Sequence, residues 1–268
     1  MESIPVPVKE HATEQLPILQ AENLVKTFSR PGQPSFNAVD HVSFRIMPGE
    51  CLGMIGESGS GKTTIASLIT RMTEPTQGSI ILDGEDITGI RGAHLRRIYR
   101  KMQMVFQSPA ESFDPRRTLG QGIGESLRNA GMSQAETKAR TRMLLEQCGL
   151  EAGFAKRYPF QVSGGQCQRA AIARALAVGP QLLICDEATS ALDVTIQAEI
   201  LELLNDLRRK KEKDLSILFI CHDIALVQQF CSRVLVLHKG RIVEEGTPDE
   251  VIRDPKDPYT KQLIENVV

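Results

Sequence analysis

The chain has 268 residues, 41% of them hydrophobic and 24% charged, with no Trp and a formal net charge of −1. That length can hold one large or two small domains with a sizeable core. The near-zero charge argues against bulk attraction to nucleic acid or to an anionic membrane, so no nucleic-acid partner is expected.

Residues 1–18 carry three Pro among polar residues and are expected to form a loose arm. MESIPVPVKEHATEQ lacks the apolar core of a signal peptide. From Leu19, LQAENLVKTF and AVDHVSFRIM read as short β-type runs, then MPGE as a turn and ECLGMIG as a buried strand. Gly56 to Gly61 form a loop, and Lys62 to Met72 suit a helix. SIILDGEDI reads as a strand with an Asp-Gly turn, and MQMVF as a further apolar strand with Met102 and Met104 as core packing.

From about Ser108 to Gln161 the character becomes helical, punctuated by Pro109, Pro115 and Pro159. Ser133 and Glu136 have the spacing of a capping box. After Val162, strands and helices alternate again. QLLICDE is a buried strand, and VTIQAEILELLNDLRRKK an amphipathic helix with Ile196, Ile200, Leu203, Leu204 and Leu207 on one side. LSILFIC, a helix from Asp223 to about Cys231, and the hairpin RVLVLHKGRIVEEG follow. Thr247 then caps a short helix with Pro248 and Glu250 in place. This alternation predicts an α/β core with a mainly parallel sheet. The basic run RRKKEK (208–213) falls at a helix C-terminus, where cations complement the dipole, and reads as a solvated helix end.

No apolar run approaches the roughly 20 residues of a membrane helix, and a cytosolic protein is expected. The Cys at 51, 148, 167, 185, 221 and 231 lack metal-ligand spacing and read as reduced thiols, several in core strands.

GESGSGKT (56–63) matches G-x-x-x-x-G-K-[ST] between a strand and a helix, the context that pattern requires. Gly56, Glu57, Ser58, Gly59, Ser60 and Gly61 supply backbone N–H groups that curl around phosphate oxygens, with the helix N-terminus adding its positive end. Lys62 is expected to bridge the β- and γ-phosphates, Thr63 to give a hydroxyl to Mg²⁺, and Thr64 to touch the α-phosphate. LLICDE (182–187) is the partner motif: Asp186 serves the Mg²⁺ shell, and Glu187 is placed to polarise an attacking water. An Asn-Lys-x-Asp guanine reader is missing, which argues against a GTPase.

VSGGQCQR, with Ser163, Gly164, Gly165 and Gln166, resembles the signature sequence of ATP-binding-cassette (ABC) ATPases, with Val162 where Leu is usual. Gln107 resembles the family's Q-loop residue, a further Mg²⁺ contact. SALD (190–193), ending in Asp193, resembles the D-loop, and His222 in ICHD the switch histidine. Phe28 sits where the family stacks an aromatic on adenine. The resemblance covers residues 19–268. It implies a P-loop NTPase core with a mainly parallel sheet, an N-terminal antiparallel β subdomain, a helical subdomain inserted at about 108–162 and a C-terminal segment from about 247 to 268. It also implies ATP and Mg²⁺ as cofactors, with Lys62, Gln107, Glu187 and His222 in the catalytic machinery. Two cassettes would pair head to tail, each signature completing the charge shell around the other's ATP, with Asp193 along the seam.

VFQSPAESFDPRRTLGQGIGESL (105–127), ICDEATSALDVTIQAEIL and DPKDPYTKQLI (254–264) are further similar to the ATPase subunits of oligopeptide, dipeptide and nickel importers. Ser108 and Asp114 depart from the commoner Asp and Asn, and the Cys-rich cluster that many such subunits carry past the DPYT segment is not expected here. That resemblance implies a homodimer or paralogous heterodimer on the cytoplasmic face of the inner membrane. A separate permease would dock beside Phe106 to about Leu127, and an extracytoplasmic binding protein would deliver a small solute. The competing readings are a soluble ABC ATPase acting on ribosomes or nucleic acid, and a non-catalytic cassette. Two cassettes in one chain or a long coiled coil would mark the first, and neither feature appears in these 268 residues. Lys62, Asp186, Glu187 and His222 together argue against the second.

Overall fold

A computed structural model describes residues 15–29, 31–32, 34–190, 192–210 and 215–265. Most of the expected N-terminal arm (1–14), Ala191 of SALD, part of the basic run (211–214) and the last three residues lie outside the described residues.

The chain opens with β1 (Leu19–Phe28), β2 (Phe36–Ile46) and β3 (Cys51–Ile55), followed by α1 (Lys62–Ile69), β4 (Gln77–Leu82), β5 (Glu85–Asp86), α2 (Gly92–Lys101) and β6 (Met102–Val105). The helical stretch holds α3 (Leu119–Asn129), α4 (Gln134–Gln147) and α5 (Gly164–Leu176), with 3₁₀ turns at Ala152–Lys156 and Pro159–Gln161. The chain continues through β7 (Leu182–Asp186), α6 (Val194–Lys210), β8 (Ser216–Ile220), α7 (Ile224–Phe230), β9 (Arg233–His238) and β10 (Arg241–Gly246). It ends with α8 (Pro248–Arg253) and α9 (Pro258–Glu265).

Four strands form an antiparallel sheet in the order β2-β1-β4-β5. Six form the core sheet, β10-β9-β3-β8-β7-β6, in which only β9 and β10 pair antiparallel. Every residue of β3, β7 and β8 is buried. A parallel strand covered on both faces has no solvent side, which explains these continuous apolar runs. The pleat sends alternate residues to opposite cores. Cys51, Ile55, Leu183, Cys185, Ile217 and Phe219 join the core shared with the helical segment. Leu52, Met54, Leu182, Ile184, Leu218 and Ile220 join the core under α1 and the antiparallel sheet.

Local chemistry sets the helix ends. Ser133 and Glu136 form the expected capping box on α4, and Thr118 with Gln121 does the same for α3. α1 is shorter than the predicted Lys62–Met72: it ends at Ile69, and Arg71 turns left-handed with φ 58°. Between Ser108 and Thr118 the described chain is turns rather than helix. α2 and α9 match no predicted helix. All six cysteines are free and buried, with Cys51 in β3 and Cys185 in β7. No described helix is long and apolar enough to cross a membrane.

Candidate functional site

In a parallel sheet the loops after each strand emerge along one edge, where such folds bind ligands. β3 delivers residues 56–63 there, β7 delivers Asp186 and Glu187, β6 delivers Gln107, and β8, lying between β3 and β7, delivers His222. Motifs more than a hundred residues apart thus meet through strand order alone.

The loop after β3 is backbone-driven. Gly56 has φ 148° and Gly61 φ 111°, in the left-handed region that glycine tolerates. A Cβ on Gly56 would sit 2.2 Å from the Leu237 carbonyl oxygen, and one on Gly61 2.5 Å from that of Ala38. Close packing against neighbouring backbone therefore excludes side chains at both positions. The Gly240 N–H donates to the Ser60 carbonyl at 2.8 Å, so the β9–β10 turn buttresses the loop from below. The Ser60 side chain is buried beneath it.

Lys62 is buried and folds back on its own loop, donating from Nζ to the carbonyls of Gly56 (2.7 Å) and Glu57 (2.9 Å). Burial lowers its pKa, opposed by the charges of Glu187 and Asp186. Asp186 is 6% exposed, and burial raises its carboxyl, opposed by the hydrogen bond from Thr63. Thr63 Oγ1 lies 3.4 Å from Asp186 Oδ1. Glu187 adopts φ 48°, and its carboxylate accepts from Gln107 Nε2 at 2.9 Å. A cation of a few charges, held by phosphate, would relieve the buried Asp186. The hydroxyl, carboxylate and amide oxygens here are the hard donors Mg²⁺ takes alongside its waters.

A cavity of about 720 Å³ opens over this loop. Ser58, Gly59, Gly61, Lys62, Thr63, Thr64 and Glu187 line one end. Phe28 lines the other, its ring 6.0 Å from that of Phe36, its register partner across β1 and β2. Gly56, Glu57 and Ser60 are not among the lining residues: Gly56 and Ser60 are buried and Glu57 is exposed. Gln107 and Asp186 reach the cavity through Glu187 and Thr63, and His222 is exposed beyond its lining. Phe36, Lys239 and Gly240 line the cavity without belonging to any motif. Pro31, Gly32 and Pro34 between two apolar runs are a hairpin signal that places Phe36 beside Phe28.

The signature residues lie elsewhere. Ser163, Gly165 and Gln166 line a second cavity of about 450 Å³ that shares no residue with the first. Ser163 caps α5: its hydroxyl accepts from the Gln166 N–H, while the Gln166 side chain accepts from the Ser163 N–H. Gly164 begins the helix, and a Cβ on Gly165 would meet Ile196 Cγ2 at 2.6 Å. Asp193 precedes α6 and accepts from the Ile196 N–H at 3.0 Å, a capping role its motif does not announce.

A phosphate loop and an acid pair on one edge of a parallel sheet, beside an antiparallel sheet and an inserted helical segment, define an ATP-binding cassette. Residues 39–190, more than half of the chain, match the family model described as ABC transporter, and the chain belongs to that family. It is an ATP-binding, ATP-hydrolysing member of it. The chain is 44% identical over 254 residues to a probable peptide ABC transporter ATP-binding protein of Sinorhizobium fredii, covering 92% of this chain and 71% of that protein. It is 42% identical to a putative peptide import ATP-binding protein of Brucella ovis, covering 93% of this chain and 78% of that one. With the glutathione import ATP-binding protein GsiA of Salmonella typhimurium the identity is 43%, over 96% of this chain but 42% of that protein. Among solved structures, the cassette MJ0796 in a dimeric post-hydrolysis state with ADP and Pi superposes with a TM-score of 0.78 at 31% identity, covering 86% of this chain and 98% of that one.

Proposed function

We propose that this chain is the ATPase subunit of a peptide-class importer, working in a head-to-tail pair with a second cassette and driving a separate membrane permease. The observation that carries the pairing is the segregation of the signature: Ser163, Gly165 and Gln166 line a cavity distinct from the chain's own phosphate-loop cavity. A helix N-terminus capped by Ser163 is an anion site with no anion of its own chain to meet. A γ-phosphate presented by a partner cassette completes it, and the dimeric state of MJ0796 is consistent with this arrangement.

In this reading Lys62 leaves its loop carbonyls for the β- and γ-phosphates, and the N–H groups from Ser58 onward cradle the β-phosphate. Thr63, Asp186 and Gln107 would hold Mg²⁺, which neutralises phosphate charge as it develops. Glu187 polarises the attacking water, Gln107 positions that carboxylate, and His222 completes the γ-phosphate end. Phe28, with Phe36 beside it, stacks on adenine. Asp193 lies along the seam, at the start of α6.

Beside β6, a groove of about 440 Å³ is lined by Met72, Tyr99, Met104, Phe106, Glu125 and Arg174 among others. An apolar floor with few charges suits a short amphipathic helix of a permease, which would hold the chain at the cytoplasmic face of the inner membrane. Peptide and glutathione are the cargo classes of the similar ATPases. The test is affinity purification of the tagged chain from detergent-solubilised membranes, with mass spectrometry. A multi-span permease is expected, with or without a second cassette. Recovery of ribosomes or DNA alone would favour the soluble alternative and overturn the transport role.

A further inference from the structure

The peptide unit joining Gly56 to Glu57 is gripped on both edges. Its carbonyl accepts from Lys62 Nζ at 2.7 Å, and its N–H donates to the Tyr259 hydroxyl at 3.0 Å. Tyr259 lies on α9, outside the residues matched by the family model. It is held there by a short relay. Glu244, on β10, accepts from the N–H groups of Lys256 (2.9 Å) and Asp257 (3.0 Å), and Asp257 in turn accepts from the Tyr259 N–H at 2.8 Å. The Tyr259 ring packs on His238 with centroids 3.8 Å apart. Four anchored groups thus aim one hydroxyl at one loop amide.

The two grips do not have the same fate. Phosphate draws the Lys62 ammonium away from the Gly56 and Glu57 carbonyls, because a multiply charged anion outcompetes neutral carbonyls for a buried cation. The carbonyl edge of the peptide is then released when the loop must hold its shape. Gly56, with no Cβ, gives that peptide rotational freedom. The Tyr259 grip on the N–H edge does not compete with phosphate and stays.

We propose that Tyr259 is a positioning residue of the nucleotide site: its hydroxyl fixes the Gly56–Glu57 peptide, so that the N–H groups that follow remain aimed at phosphate once Lys62 has turned to the ligand. The inference rests on nucleotide binding at this loop, which the wild-type control tests separately.

Tyr259→Phe removes the hydroxyl and keeps the ring on His238. Glu57 is exposed, so water replaces the lost acceptor and the nucleotide-free fold is unharmed. ADP with Mg²⁺ reads the loop without requiring a partner cassette. In calorimetric titration of the full chain, Tyr259→Phe is expected to weaken ADP about three- to tenfold, the range of one hydrogen bond. The unfolding midpoint of the nucleotide-free protein should be unchanged. An ADP affinity within twofold of wild type overturns the proposal. So does a fall in the nucleotide-free midpoint that accounts for the weaker binding, since that marks a merely structural tyrosine. Absence of ADP binding by the wild type would instead refute the binding site beneath it, and the proposal with it.

Discussion

Gln107 Nε2 donates to Glu187 Oε2 across 2.9 Å, joining the residue two positions past the end of β6 to the residue that follows β7. β6 and β7 are parallel neighbours in register, with Val105 opposite Cys185, so the pairing of two strands sets the approach of two side chains. Ser190 Oγ lies 3.4 Å from the same amide and donates to the Glu187 carbonyl at 2.9 Å. Glu187 is therefore held from both its side chain and its backbone before any nucleotide arrives.

Glu187→Gln keeps the size and the hydrogen bond to Gln107 but removes the carboxylate proposed to polarise the attacking water. ATP binding should be retained, while phosphate release falls by about 10²–10⁴-fold, the range of a positioned general base. With ATP, size-exclusion chromatography should show an accumulated cassette pair. Turnover equal to wild type in the assembled complex would remove Glu187 from its role.

Asp186 costs the nucleotide-free protein stability at neutral pH. Burial raises its folded pKa above the ordinary 3.8. Between those two values the folded chain binds more protons than the unfolded one, so stability falls as pH rises through that window and stays lowered above it. Asp186→Asn should therefore raise the unfolding midpoint of the nucleotide-free protein at pH 7, with the gain disappearing as pH falls below the ordinary aspartate value. Mg²⁺-dependent hydrolysis should fall by roughly 10²-fold or more, since losing even ~3 kcal/mol of charge stabilisation has that effect. A variant less stable than wild type at pH 7 would show that Asp186 is stabilised by its partners rather than strained by burial.

The signature glycines separate charge from crowding. A Cβ on Gly165 collides with Ile196, so any substitution there also disturbs the packing of α5 on α6. Gly164 offers ordinary contact, with the nearest atom, Leu192 Cδ2, at 3.6 Å. An acid in the first turn of a helix also favours the helix, by about 0.3–1 kcal/mol. Gly164→Asp should thus fold with an unchanged or higher unfolding midpoint and bind ADP normally. In the proposed head-to-tail pair it should fail to assemble with ATP, because its carboxylate would face the partner's γ-phosphate at like charge. Normal ATP-driven pairing of Gly164→Asp by light scattering would sink the head-to-tail arrangement.

What could be read along the chain was whatever depends on neighbours in sequence. The phosphate loop needs glycines before a helix start, and GESGSGKT carries both. The caps at Ser133 and Thr247 need an acceptor and its partner three residues on. Buried parallel strands announce themselves as unbroken apolar runs. α2 escaped because GAHLRRIYRK buries only Ile98, leaving no apolar stripe of period 3.6. Strand order was another matter: nothing in LSILFIC says that β8 separates β3 from β7 and so puts the phosphate loop, the acid pair and Gln107 on one edge. The same holds for Tyr259, which meets Glu57 across 202 positions. A hydroxyl carries no mark of the amide it will reach; only packing of the whole sheet and its last helix brings the two within hydrogen-bonding distance.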